Sequence, residues 1–263
     1  MSLLHFATVL IAAFAAGAIN SIAGGGTLVT FPALLGLGLT GQQANVTSTL
    51  GLWPASIGGF AGHRQDLAGT RRFALRLVPP SLLGALVGAL LMLLTPNSIF
   101  DHLVPWLILT ATLLMAANDP IAKLVQAVPG QERSRQWWLG AITFQFVVGI
   151  YGGYFGAGIG ILMLASLSLL GLTDIHQMNG LKNFLALSIN GVAIAAFVIW
   201  ELLFHPGNVR WATVLVMAVA AALGGLFGSH MAHRVGRRTV RFIVVAVGFI
   251  LTAWYFYKIH GGR

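Results

Sequence analysis

The sequence contains no cysteine, which excludes disulfides and thiolate metal sites. Acidic residues are almost as scarce, at six among 263. Asp66, Asp101, Asp119, Glu132, Asp174 and Glu201 all fall in expected loops or at helix ends. With no carboxylate at mid-depth, a carboxylate proton relay and a carboxylate-built sodium site are both excluded. Charged residues make up 8% of the chain, against about 25% in a soluble domain, so this chain cannot cover its own surface in water. Also missing are HExxH, GxSxG and a glycine-rich loop ending in GK[ST]. The expectation is therefore a protein that is not an enzyme, with no cofactor and no metal.

What replaces these groups is apolar surface. The mean hydropathy is +0.85, and apolar runs cover 3–23, 77–95, 103–117, 139–150, 185–200, 211–229 and 242–257. Several approach the roughly 20 residues of a spanning helix. The fold class read here is an all-α polytopic membrane protein. The first segment, MSLLHFATVLIAAFAAGA, has no positive n-region and reads as a spanning helix rather than a cleaved signal. The net charge of +9 does not point to nucleic acid, because the basic residues sit in short loops between apolar runs. The implied partners are the bilayer and a small anionic substrate, and a homo-oligomer is compatible with the sequence.

The chain also matches itself. GALVG at 84–88 returns as GGLFG at 224–228, LLGLGLTGQQANVTST at 34–49 parallels LSLLGLTDIHQMNGLKN at 167–183, and AGGG at 23–26 parallels FGAG at 155–158. Order and near-constant shift point to two homologous halves. The boundaries read here are 1–118 for the first repeat, 119–136 for a cytoplasmic linker and 137–263 for the second repeat. Arg64, Arg71, Arg72 and Arg76, then Lys123, Arg133 and Arg135, then Arg234, Arg237, Arg238 and Arg241 mark three basic loops. The loop 95–101 has no Lys or Arg, and 205–210 has only Arg210. The positive-inside rule puts the first three in the cytoplasm and the last two outside.

Residues 4–39 as one helix would span about 54 Å, well beyond a hydrocarbon core of about 30 Å. The segment must fold back, and the turn belongs at Gly24, Gly25 and Gly26. Each half then holds a Gly-rich helical hairpin plus three further helices and makes an odd number of net crossings. The halves become two inverted-topology repeats, a common plan of secondary transporters, with both termini outside.

A helix that begins inside a bilayer presents free N–H groups and the positive end of its dipole, which suits an anion. The candidate substrate-binding residues of the first break are Asn20, Gly24, Gly25, Gly26 and Thr27, with the Thr27 hydroxyl as a helix cap. Gly156 and Gly158 mark the second break. Gly84, Gly88, Gly224 and Gly228 read as close helix packing. A second constellation, Asn45, Thr47 and Ser48 with Asn179, Lys182 and Asn183, aligns Asn45 with Asn179, Ser48 with Lys182 and Thr49 with Asn183. Lys182 either pairs with an anionic substrate or snorkels to headgroups, and Asn45 and Asn179 either bind substrate or cap helices. Ser56 and Asn190 occupy equivalent mid-helix positions that line a path or satisfy the kink at Pro54. His176 and His230 read as structural. Trp137, Trp138, Trp200, Trp211 and Trp254 read as interfacial belt residues.

The stretches AGAINSIAGGGTLVTFPALLGLGLTGQQANVTST and GGYFGAGIGILMLASLSLLGLTDIHQMNGLKN resemble the sulfite exporter TauE/SafE family, also called the toluene sulfonate uptake permeases. The resemblance covers nearly the whole chain. Its first-half pattern is carried by Gly24 to Gly26, Pro32, Ala44, Thr47 and Ser48, while Leu181 and Lys182 depart from the usual Thr-Ser in the second half. The resemblance implies movement of sulfite, sulfonates or related small organic anions across the cytoplasmic membrane. The residues alone imply an anion-compatible transporter, leaving open a carboxylate or another inorganic anion as cargo, or an anion channel.

Overall fold

A computed structural model describes residues 3–22, 25–117, 134–170, 172, 174–204, 209–231 and 237–260. It is all-helical over these residues. The ten α-helices are α1 (Leu3–Ile22), α2 (Thr27–Gly36), α3 (Gly41–His63), α4 (Arg71–Leu94), α5 (Asn97–Ala116), α6 (Arg135–Tyr154), α7 (Ile159–Leu169), α8 (Ile175–Leu203), α9 (Trp211–Met231) and α10 (Arg237–His260), with a 3-10 turn at Arg64–Leu67. Each half therefore holds a long helix, a short one and three long ones. Six helices among the described residues (α1, α4, α5, α8, α9 and α10) are long and apolar enough to cross a membrane. The chain is a polytopic, multi-pass α-helical membrane protein.

Helix starts follow local chemistry. Thr40 caps α3 in a reciprocal box with Gln43, whose N–H donates to Thr40 Oγ1 at 3.3 Å while the Thr40 N–H donates to Gln43 Oε1 at 3.2 Å. Asp174 caps α8 by accepting from the His176 and Gln177 N–H groups. Such caps contribute about 1 kcal/mol each. Asn45 and Asn179 are thus not caps, and neither opens its helix. Both lie within helices that have already begun. Pro54 lies inside α3.

Packing partners exchange between the halves. The most extensive contacts are α4 on α6 and α1 on α9, followed by α9 on α3 and α4 on α8. Small residues cause this. A β-carbon on Gly84 or Gly88 would lie 2.2 Å from the Phe146 carbonyl oxygen or 2.0 Å from that of Ile150 on α6. On Gly224 it would lie 2.0 Å from the Phe14 carbonyl oxygen of α1, and on Gly228 it would collide with Ala18. These glycines let two backbones touch, where close van der Waals contact replaces the hydrophobic drive that lipid does not supply.

The hairpins open at opposite ends of the bundle. Gln42, in the first turn of α3, donates to the carbonyls of Met92 and Thr95 at the α4–α5 connection. Gln177, in the first turn of α8, donates instead to the Ala68 carbonyl at the α3–α4 connection. Hence α1–α2 returns to the first of these ends and α6–α7 to the second. α10 runs antiparallel to α5, since Trp106 meets Phe256 edge-on and Gly248 abuts Thr112. α3 and α8 are antiparallel too, with Phe60 against Phe184 and Gly191 against Trp53.

Among the expected belt residues, Trp137, Trp211 and Trp254 are exposed. Trp138 is not. It is buried under the Arg76 guanidinium, 4.4 Å from the ring centroid, a cation–π contact that lets a basic residue cover an aromatic one. His230 Nδ1 lies 2.8 Å from the Leu226 carbonyl oxygen.

Two glycine substitutions test the packing. Gly88→Val drives side-chain atoms into the α6 backbone and should cost about 1–3 kcal/mol or more. Gly140→Ala, on α6 with nothing within 4 Å, should be neutral or stabilise by about 0.5–1 kcal/mol. Thermal unfolding of the detergent-purified variants measures both, and equal midpoints would remove the glycine contact from the account.

Candidate functional site

The two breaks come together on one segment of α5. A β-carbon on Gly25 would lie 2.4 Å from Met115 Sδ, and one on Gly158 would lie 3.5 Å from the Ala111 carbonyl oxygen and 3.9 Å from Leu114 Cβ. Phe31 of α2 meets Phe155 edge-on at 5.4 Å. Gly25, Gly156 and Gly158 all have φ near +80°, at 88°, 78° and 78°, a conformation that glycine adopts without cost.

The first break is closed by its own chain. The Gly26 N–H donates to Asn20 Oδ1 at 2.7 Å. The Leu28 N–H donates to the Gly25 carbonyl, and those of Val29 and Thr30 to the Gly26 carbonyl. Thr27 is the first residue of α2, not its cap; the cap position belongs to Gly26, with no side-chain cap on α2. The Thr27 hydroxyl is thus displaced from its expected role, because Asn20 already takes the free donor. Gly24 lies outside the described residues. A β-carbon on Gly26 would meet the Ala16 carbonyl oxygen at 2.4 Å, so this glycine permits close approach of α2 to α1.

The second break is open. α7 begins after Gly158, with no side-chain cap. The Ile161 N–H donates to the Gly158 carbonyl at 3.1 Å, as the first turn of α7 forms. The Tyr151 hydroxyl donates to the Ala157 carbonyl at 2.8 Å, holding the turn from inside. Lys182 of α8 lays its stem on this same first turn, with its Cδ 3.3 Å from the β-carbon position of Gly160. Its Nζ donates to Asn179 Oδ1 at 3.3 Å. Lys182, Asn179 and Asn183 are half-buried. The stem of a basic side chain therefore lies against the N-terminal turn of α7, where the helix dipole is positive.

On the other side of the same break lies α3. Asn45 is 1% exposed, and its Nδ2 donates to the Tyr154 carbonyl at 2.9 Å. Its Oδ1 is buried with no partner. Asn190 of α8 approaches from a second direction, its Oδ1 3.8 Å from the β-carbon position of Gly156. Ser48 is fully buried and bonds the Thr30 hydroxyl of α2. Thr47 is also fully buried without a partner, but helical spacing puts it with Gly51, whose β-carbon position abuts Met217 of α9. Thr47 thus faces away from Asn45. Ser56 is half-buried on the Asn45 side of α3.

The expected residues consequently form two groups rather than one. Asn45 lies near the end of the bundle where α3 begins, and Lys182 near the opposite end, where α8 begins. Tyr151, Tyr154 and Thr30 complete the geometry, and no motif marked them.

The sulfite exporter TauE/SafE family profile matches residues 9–255. A Sinorhizobium sp. protein described as a probable membrane transporter is 29% identical over 93% of this chain and 90% of its own. One from Haemophilus influenzae with the same description is 27% identical over 91% and 90%, and the probable membrane transporter YfcA of Escherichia coli K12 is 26% identical over 95% and 88%. With the profile spanning nearly every helix described above, the chain belongs to the sulfite exporter TauE/SafE family of membrane transporters.

Proposed function

We propose that this protein is a secondary transporter that moves a small sulfur-containing oxyanion, such as sulfite or a sulfonate, across the cytoplasmic membrane. The observation that carries the reading is the place of Lys182. Its stem rests on the uncapped first turn of α7 and its ammonium donates to Asn179 Oδ1, which brings a basic side chain to the end of the helix where the dipole is positive. The family description as a sulfite exporter supports sulfur as the centre of the oxyanion.

The same proposal includes two inverted repeats, near 1–118 and 137–263, joined by a cytoplasmic linker at 119–136. Exchanged packing partners and hairpins that open at opposite ends support it. The basic loop at Arg64, Arg71 and Arg72 belongs to the cytoplasmic end, and both termini lie outside. Alternating access would then rock one repeat against the other around the breaks.

Two measurements test this. Lys182→Gln keeps length and donor capacity while removing the charge. A charge-assisted hydrogen bond contributes roughly 1.5–3 kcal/mol, so affinity for sulfite or a sulfonate should fall about 10- to 100-fold. An unchanged dissociation constant in titrations of purified protein would remove Lys182 from the site. For orientation, a single cysteine at Asn97 should react with an impermeant thiol reagent in intact cells, whereas one at Ala68 should not. The reverse pattern would overturn the assigned sidedness.

A further inference from the structure

We propose that the C-terminal end of α6 holds a monovalent cation, with Na+ as the natural probe, between Asn45 of α3, Asn190 of α8 and the carbonyls of the last α6 turn. Two pairs of groups, on either side of Phe155, mark the place. A β-carbon on Gly156 would stand 3.0 Å from the Gly152 carbonyl oxygen and 3.8 Å from Asn190 Oδ1. The Tyr154 carbonyl oxygen lies 2.9 Å from Asn45 Nδ2. The remaining arm of that amide, Asn45 Oδ1, is buried with no partner.

The orientation of Asn45 is fixed by chemistry. Turning the amide over would set its oxygen against the Tyr154 carbonyl and orphan two donors instead of one acceptor. A buried acceptor left empty costs about 1–3 kcal/mol. An oxyanion cannot satisfy it, because oxygen would face oxygen. A hard cation can, and these are the neutral oxygen ligands that such cations take. The end of α6 adds the negative pole of its dipole. The right-handed turn is interrupted immediately beyond, so last-turn carbonyls lack the onward N–H partners of a continuous helix.

The absence of charge from the ligand set selects the class of ion. The described carboxylates are engaged elsewhere. Asp66 lies in the 3-10 turn, Asp101 beside Gly41, Asp174 at the cap of α8, and Glu201 on the Val209 N–H. Among the described residues no three His, Cys, Asp or Glu side chains gather for a metal. Amide and carbonyl oxygens alone suit a monovalent ion, whereas divalent ions take carboxylates. Sequence reasoning set aside a sodium site built on carboxylates; this one needs none.

As a cation site the assignment stands without the anion reading. As a coupling site it rests on that reading: one interrupted helix would hold a cation at the end of α6 and an anion at the start of α7, so that each reduces the cost of bringing the other into the bundle.

Purified protein without anion substrate is titrated with NaCl against choline chloride at constant ionic strength, and its thermal unfolding midpoint is followed. Ligand that binds only the folded state raises the midpoint, so a saturable rise with Na+ and none with choline is expected. Asn190→Ala should weaken the Na+ response about tenfold or more. Asn45→Asp sets a carboxylate against the Tyr154 carbonyl, so it should lower the midpoint in choline and respond to Na+ at lower concentration. Lys182→Gln should leave the Na+ response unchanged even if it abolishes anion binding, which separates the two assignments. Identical curves in Na+ and choline for both wild type and Asn45→Asp would mean that no Na+ binds beside Asn45, and the proposal would fall. A Na+ response that Asn190→Ala and Asn45→Asp both leave at the wild-type concentration would place the ion elsewhere and overturn it equally.

Discussion

A helix cannot be interrupted inside a bilayer without leaving backbone donors on one side of the gap and acceptors on the other. Hydrocarbon offers nothing to satisfy them, so protein, water or ligand must. This constraint organises the molecule around residues 155–158. The end of α6 points carbonyl oxygens into the bundle, and the start of α7 points N–H groups. Everything near the gap answers one or the other. Asn45 and the Tyr151 hydroxyl donate to carbonyls, and the Lys182 stem lies over the first turn of α7.

Holding such a gap in place demands close packing, since apolar side chains gain little by leaving lipid for protein. Gly84 and Gly88 bring α4 against α6, and Gly224 and Gly228 bring α9 against α1. The hairpin helices α1 and α6 are thereby each clamped by the fourth helix of the other half. A break positioned this way moves only if its clamp moves with it.

Much of this was legible in the residues because it depends on local pattern. Apolar length marks the long helices, three glycines mark the first break, and GALVG with GGLFG marks the clamps. Other features depend on partners far apart in the chain, where no local pattern reaches. Asn45 finds the Tyr154 carbonyl 109 residues away, and Trp138 is buried because Arg76 covers it. Thr27 was misread because a plausible hydroxyl stood beside the break, while Asn20, near the end of α1, already held the donor. Grouping Asn45 with Lys182 in one site failed for a geometric reason. The residues match in sequence, but α3 and α8 run antiparallel and begin at opposite ends of the bundle.

That last point bears on why the two halves have diverged at the breaks. If both breaks were open, an anion would meet two positive helix starts near α5, with no preference between them. Asn20 instead occupies a donor at the start of α2, and where the first half has Ser48 bonded to Thr30, the second has Lys182 over Gly160. One half thus satisfies its own backbone and serves as a neutral wall. The other has a buried acceptor without a partner on the α6 side of its break and the stem of Lys182 on the α7 side. The two hairpins pack alike but differ at their breaks: Asn20 accepts from the Gly26 N–H in one, and the Lys182 stem lies over Gly160 in the other.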